Sequence, residues 1–192
     1  MKTIEIKGSK RSDLTKQSVK ALRNSEHVPC VLYGGAEPVH FSAHLADFKH
    51  LVYTPDVYLV KLIVDGKEYM SMMQDIQFHP VNDIIQHIDF LEVTNDKPVT
   101  INIPIKFSGA SEGVKQGGKL VTKVRRLKVK ALPAALPDFI SVDITPLKIG
   151  GNIRVRDLTT TGVTFLDSPS NVIVGVRITR NVAAAEATAE KK

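Results

Sequence analysis

Apolar and polar positions alternate at the start of the chain: Ile4 and Ile6 are interleaved with Thr3, Glu5 and Lys7, which predicts a short strand over residues 3–7. Gly8, Ser9, Lys10, Arg11, Ser12 and Asp13 then have loop chemistry. Val19 and Leu22, three residues apart, mark the inner face of a helix, and Lys16, Lys20 and Arg23 line an adjoining face. Asp13 or Thr15 supplies its cap and Pro29 its stop. Cys30-Val31-Leu32-Tyr33 reads as a buried strand ending at a Gly34-Gly35 turn. Leu45, Phe48, Leu51 and Val52 recur at helical spacing before Pro55 and predict a second helix around residues 43–52. Residues 57–64 and 67–77 flank Asp65-Gly66, and Asp-Gly between two β-rich runs signals a two-residue hairpin. On the next strand Ile84, Ile88 and Phe90 fall at even spacing, which assigns Ile85, His87 and Asp89 to the opposite face.

Beyond the polar break Thr94-Asn95-Asp96-Lys97-Pro98 no helical period recurs. Val99, Ile101, Ile103 and Ile105 alternate strictly, Lys119 to Ala131 is a basic β-rich run, and Phe139 to Ile144 and Asn171 to Thr179 follow the same style between Gly- and Pro-rich turns. Pro104 points to an edge strand or a bulge, because proline cannot donate to a central ladder. The pattern is therefore mainly β with two short helices. It divides into a domain over residues 1–94, an all-β domain over residues 95–180, and a low-complexity Ala/Glu/Lys tail over residues 181–192 that is expected to be disordered.

Composition adds exclusions. Hydrophobic residues make up 43% of the 192 and charged residues 24%, a globular balance. No run approaches the ~18 apolar residues of a membrane span, and the N-terminus lacks an apolar signal core, so a soluble, cytoplasmic protein is expected. A single cysteine, Cys30, cannot form an internal disulfide. The net charge of +6 is unevenly spread. Residues 1–94 carry 10 basic and 12 acidic side chains, whereas residues 95–192 carry 16 and 8. Basic stretches at residues 1–28 and 115–130 suit a polyanion such as nucleic acid.

Three constellations could carry chemistry. The loop and helix from Lys10 to Arg23 present cations about one turn apart, fit either to follow a phosphate backbone or simply to be solvated. His87 and Asp89 share a strand face, and His79 could complete a two-His-one-carboxylate metal site; hydrogen-bonded structural or RNA-contacting side chains satisfy the same spacing. Tyr33 at a strand end could stack on a base, with Gly34 and Gly35 admitting a close backbone or merely turning the chain. No phosphate loop with a Gly-Lys-Ser/Thr ending and no Gly-x-Ser-x-Gly elbow occurs, which argues against nucleotide hydrolysis and serine nucleophilic catalysis.

Taken in order, the basic helix ending Leu22-Arg23, then Pro29-Cys30-Val31-Leu32-Tyr33-Gly34-Gly35, Gln77-Phe78-His79-Pro80 and Gln86-His87-Ile88-Asp89-Phe90 resemble the bacterial large-subunit ribosomal protein number twenty-five. The all-β second half matches the family's long form, called Ctc or general stress protein, so that the resemblance covers about residues 1–180. It implies a small N-terminal β-barrel that binds 5S rRNA in the central protuberance, beside neighbouring rRNA and ribosomal proteins in the cytoplasm. Neither catalysis, cofactor, metal nor small-molecule substrate is implied. By position it marks Arg11, Lys16, Lys20, Arg23, Tyr33, Gly34, Gln77, His79, His87 and Asp89 as RNA-binding residues. The chain departs from the family pattern in the Gly-poor Lys16-Gln17-Ser18-Val19-Lys20-Ala21, at Phe78, where a basic residue is usual, and at Cys30. The rival readings are a metal-dependent hydrolase using His79, His87 and Asp89, and a stress-induced protein-interaction module.

Overall fold

The computed structural model describes residues 2–94, 96–160 and 162–179; the tail at residues 181–192 lies outside the described residues. The chain divides into two compact units. The first runs through Val99 and takes in Leu132–Asp138, and the second comprises Thr100–Ala131 with the chain from Phe139 onward.

In the first unit β1 (Lys2–Lys10), β2 (His27–Tyr33), β3 (Val39–His44), β4 (Tyr58–Val64), β5 (Lys67–Phe78) and β6 (Ile85–Glu92) close a barrel in the order β1-β3-β2-β6-β5-β4. Closure depends on β1 changing partners: Lys2 to Gly8 pair with β4, and Ser9 and Lys10 pair with β3. The strand is thus longer than the alternation at residues 3–7 predicts, because Gly8 continues the ladder with β4 and Ser9 and Lys10 are recruited by β3, a pairing that no local pattern announces. Gly8 makes the switch possible, since a Cβ there would come within 2.7 Å of the Phe41 ring and 3.2 Å of the Ser42 carbonyl oxygen. Ile6, Cys30, Leu32, Phe41, Phe48, Val60, Leu62, Ile88 and Phe90 fill the barrel, all of them buried. At the β4–β5 hairpin Asp65 and Gly66 have φ of 48° and 80°, as the expected type I′ turn requires.

Helix α1 (Lys16–Asn24) forms where the cationic periodicity predicts it, with Thr15 as its N-cap: its Oγ1 accepts from Ser18 N at 3.4 Å. The second expected helix is corrected at its start. Residues 43 and 44 finish β3, and a 3-10 turn over Leu45–Phe48 leads into the short α2 (Lys49–Val52), still burying Phe48 and Leu51. His44 Nδ1 accepts from Ala46 N at 3.2 Å and so starts the turn.

The second unit contains β7 (Val99–Ser108), whose first residue is shared with the barrel unit, then α3 (Glu112–Lys115), β8 (Lys119–Thr122), β9 (Arg126–Ala131), β10 (Ile140–Asp143), β11 (Asn152–Arg154), β12 (Val163–Phe165) and β13 (Val172–Arg177). They form a four-stranded sheet, β10-β7-β9-β12, and a three-stranded sheet, β11-β13-β8. One turn of helix, α3, is too short to leave a period in the sequence. Two expectations change. The basic run from Lys119 to Ala131 is two strands in different sheets. Pro104 does not mark an edge: β7 is interior, and it tolerates the missing N–H because its ladder with β10 begins only at Ile105.

Candidate nucleic-acid interface

The outward face of the barrel gathers most of the residues singled out from the sequence. Cross-strand partners share a face, and His87 pairs with Gln77, Asp89 with Asp75 of β5 and Val31 of β2, and Val31 with His40 of β3. Tyr33 lies two residues beyond Val31 on β2, on the same side. His87 Nδ1 stands 2.7 Å from Asp89 Oδ1, with the side chains 29% and 31% exposed, so the pair is held together yet reachable from solvent. Partial burial, and then the carboxylates of Asp89 and Asp75, push the Tyr33 phenol up from its ordinary pKa. Its hydroxyl therefore remains a donor at neutral pH.

Two register shifts bracket this patch. One falls between Met73 and Asp75, where Gln74 is the extra residue, and the other between Gln77 and Phe78, opposite Gln86. The second overturns the expected facing of β6: Ile85 is buried at 2% exposure and Ile84 is exposed at 48%, the reverse of strict alternation from Ile88. The bulge also turns the Gln86 carbonyl toward α1, where it accepts from Arg23 Nε at 3.3 Å and Nη2 at 3.0 Å. The guanidinium fork of Arg23 is thus engaged by the protein itself. Arg23→Ala is expected to lower the urea midpoint by the equivalent of roughly 0.5–1.5 kcal/mol and to weaken RNA binding through a misplaced helix. Lys16→Ala, at an exposed side chain with no ion pair among the described residues, is expected to leave the midpoint unchanged and to lower the salt dependence of binding by roughly one unit. Urea titration alongside binding at several salt concentrations separates the two.

The remaining candidates have visible local duties. Arg11 donates Nη2 to the Asp13 carbonyl at 3.3 Å, while its Nε is buried without a partner. Lys20 is exposed on α1. Gly34 has φ of 99°, and a Cβ would lie 2.8 Å from Leu91 Cδ1, so backbone geometry and packing against β6 account for the glycine. His79 Nδ1 accepts from Val81 N at 3.3 Å and Asn82 N at 3.4 Å, capping the turn between β5 and β6. With that nitrogen occupied and His87 turned to Asp89, the three side chains do not converge; among the described residues no group of three or more His, Cys, Asp or Glu could hold a metal ion. Cys30 is fully buried and its thiol pKa is driven far up by desolvation, which removes it as a nucleophile. Sequence reasoning missed Asp75 and His40, whose places on this face depend on pairing and on the Gln74 bulge.

Comparison with known families defines the class. The model for the Ribosomal L25p family matches residues 6–90, and that for the C-terminal domain of ribosomal protein TL5 matches residues 98–180. Full-length similarity names the family within that class. The chain is 47% identical over 184 residues to the large ribosomal subunit protein bL25 of Christiangramia forsetii, covering 95% of this chain and 84% of that one. It is 47% identical over 192 residues to the bL25 of Amoebophilus asiaticus, covering 100% and 98%, and 40% identical over 196 residues to that of Bacteroides fragilis, covering both chains in full. The chain belongs to the bL25 family of large-subunit ribosomal proteins, which are structural and not enzymes. The mainly β, two-part architecture and the non-catalytic reading are borne out, and the hydrolase alternative falls. No helix of the described residues is long and apolar enough to cross a membrane.

Proposed function

We propose that this protein is a structural component of the cytoplasmic large ribosomal subunit that binds 5S rRNA in the central protuberance through the outward face of its barrel. The observation carrying the proposal is one outward patch of the barrel: the Tyr33 ring, the hydrogen-bonded His87–Asp89 pair and Gln77 lie on adjacent strands, beside a helix whose Lys16 and Lys20 are exposed. RNA helices are recognised through phosphates, 2′-hydroxyls and shape across a wide, shallow minor groove, and this combination supplies cations, donors and acceptors for each. In this reading Arg11, Lys16, Lys20, Tyr33, Gln77, His87 and Asp89 contact RNA. Arg23, Gly34 and His79 hold the surface in shape. Residues 1–94 form the 5S rRNA-binding domain, and residues 95–180 form a second domain facing neighbouring rRNA and ribosomal proteins.

The test measures binding of the full chain to 5S rRNA and to an unrelated RNA of equal length. A clear preference for 5S rRNA, together with nuclease-sensitive co-sedimentation with large subunits, supports the proposal. Equal affinity for both RNAs refutes it.

A further inference from the structure

In β9 the alternation buries Leu127, Val129 and Ala131 and turns Arg126, Lys128 and Lys130 to solvent. Alternate strand residues stand about 6.6–6.8 Å apart, so the three head groups form a row able to meet successive phosphates of one nucleic-acid strand. Among the described residues none of these three side chains forms an ion pair or a hydrogen bond. Asp167, the acid nearest by connection, uses Oδ2 to accept from the backbone N–H of Lys128 at 2.7 Å. Across the ladder, Lys130 pairs with the neutral, exposed Thr164 of β12. On the other side β7 adds the exposed Lys106, whose ammonium lies 4.2 Å from the centre of the Phe139 ring.

The strands of this sheet hold one acid, Asp143 on β10, and its Oδ1 accepts from both the N–H and the hydroxyl of Thr145. A sheet face that exposes Lys106, Arg126, Lys128 and Lys130, with the carboxylates of Asp143 and Asp167 engaged by hydroxyl and backbone N–H groups, is net cationic. In a protein of a ribosomal family it is complementary to one abundant partner, the phosphate backbone.

We infer that the exposed face of β9 grips the phosphate backbone of ribosomal RNA without reading its sequence, as a second contact separate from the barrel interface. The inference rests on the proposed facing of residues 95–180 toward neighbouring rRNA, for which it names the surface, and does not depend on the 5S rRNA reading of the barrel. The row is built of point charges and one guanidinium and carries no amide or aromatic side chain to sort bases. Phosphate contacts of this kind position a protein but do not specify sequence.

The test uses the full chain carrying Arg126→Gln, Lys128→Gln and Lys130→Gln together. A charge-matched control carries Lys49→Gln, Lys67→Gln and Lys97→Gln, exposed cations of the first unit. Binding to a short double-stranded RNA unrelated to 5S rRNA is followed across a salt titration, with 5S rRNA and polyglutamate in parallel. The β9 variant is expected to lower the magnitude of the slope of log affinity against log salt by roughly 2–3 for both RNAs, and the control to leave it unchanged. An unchanged slope in the β9 variant, or equal flattening in the control, overturns the inference. So does a β9 variant that keeps RNA affinity but loses polyglutamate, which would make this face a site for acidic protein. A parent chain that shows no preference for 5S rRNA, with the β9 effect intact, would sink the barrel reading alone, whereas a β9 variant that loses a preference the parent has would overturn the inference.

Discussion

Phe90→Ala is expected to destabilise the barrel by about 3–5 kcal/mol, read as a lowered urea midpoint with little change in slope. Phe90 is fully buried on β6, with ring centroids 5.8 Å from Phe41 and 6.2 Å from Phe48 at tilts of 40° and 31°. The three rings come from β6, from β3 and from the 3-10 turn before α2, so one truncation leaves a void facing three elements that are fixed by their own hydrogen bonds and cannot all collapse into it. A domain has only about 5–15 kcal/mol to lose. Ile178→Ala, at a side chain 52% exposed, is the control and is expected to fall within about 0.5 kcal/mol of the parent. A loss below about 1 kcal/mol for Phe90→Ala would mean that the rings are not packed as described.

Features determined by a few adjacent residues were legible in the sequence, and features determined by pairing were not. Asp65-Gly66 predicts its own turn, because both positions need positive φ and those residues tolerate it. Thr15 and the cations of α1 announce a capped helix for equally local reasons. The shared face of His87 and Asp89 follows from a spacing of two, which holds wherever no bulge intervenes. Counting by twos from Ile88 back to Ile84 crosses Gln86, and the extra residue exchanges Ile84 with Ile85. Likewise, nothing near Gly8 reveals that β3 will extend β1 to Lys10, nor anything near Leu136 that Leu132–Asp138 groups with the first unit. At the candidate interface the residue types were visible, but the capture of Arg23 by the Gln86 carbonyl depends on that same bulge. The sequence places Arg23 among the cations of the helix, and only the folded pairing shows that it also braces that helix against the sheet.

The largest functional effect is expected at Tyr33. Charge alone assigns RNA binding to the second half of the chain, since residues 1–94 carry 10 basic against 12 acidic side chains and residues 95–192 carry 16 against 8. Net charge, however, sets the sequence-independent attraction, and preference for one RNA needs donors, acceptors and a stacking surface in fixed positions. Those lie together on the barrel face, where Tyr33 is the aromatic beside the His87–Asp89 pair. Stacking on an exposed base is worth about 1–3 kcal/mol, so Tyr33→Ala in the full chain should weaken 5S rRNA binding by roughly 5- to 150-fold while leaving affinity for an unrelated RNA of equal length nearly unchanged. Tyr33→Phe keeps the ring and loses only the hydroxyl, whose pKa burial and then the carboxylates of Asp89 and Asp75 raise further above neutral. If the ring is what counts, Tyr33→Phe retains most of the affinity. If the hydroxyl donates to a phosphate or a 2′-hydroxyl instead, the two variants fall together. A Tyr33→Ala protein that loses both RNAs equally would move the origin of specificity away from this face.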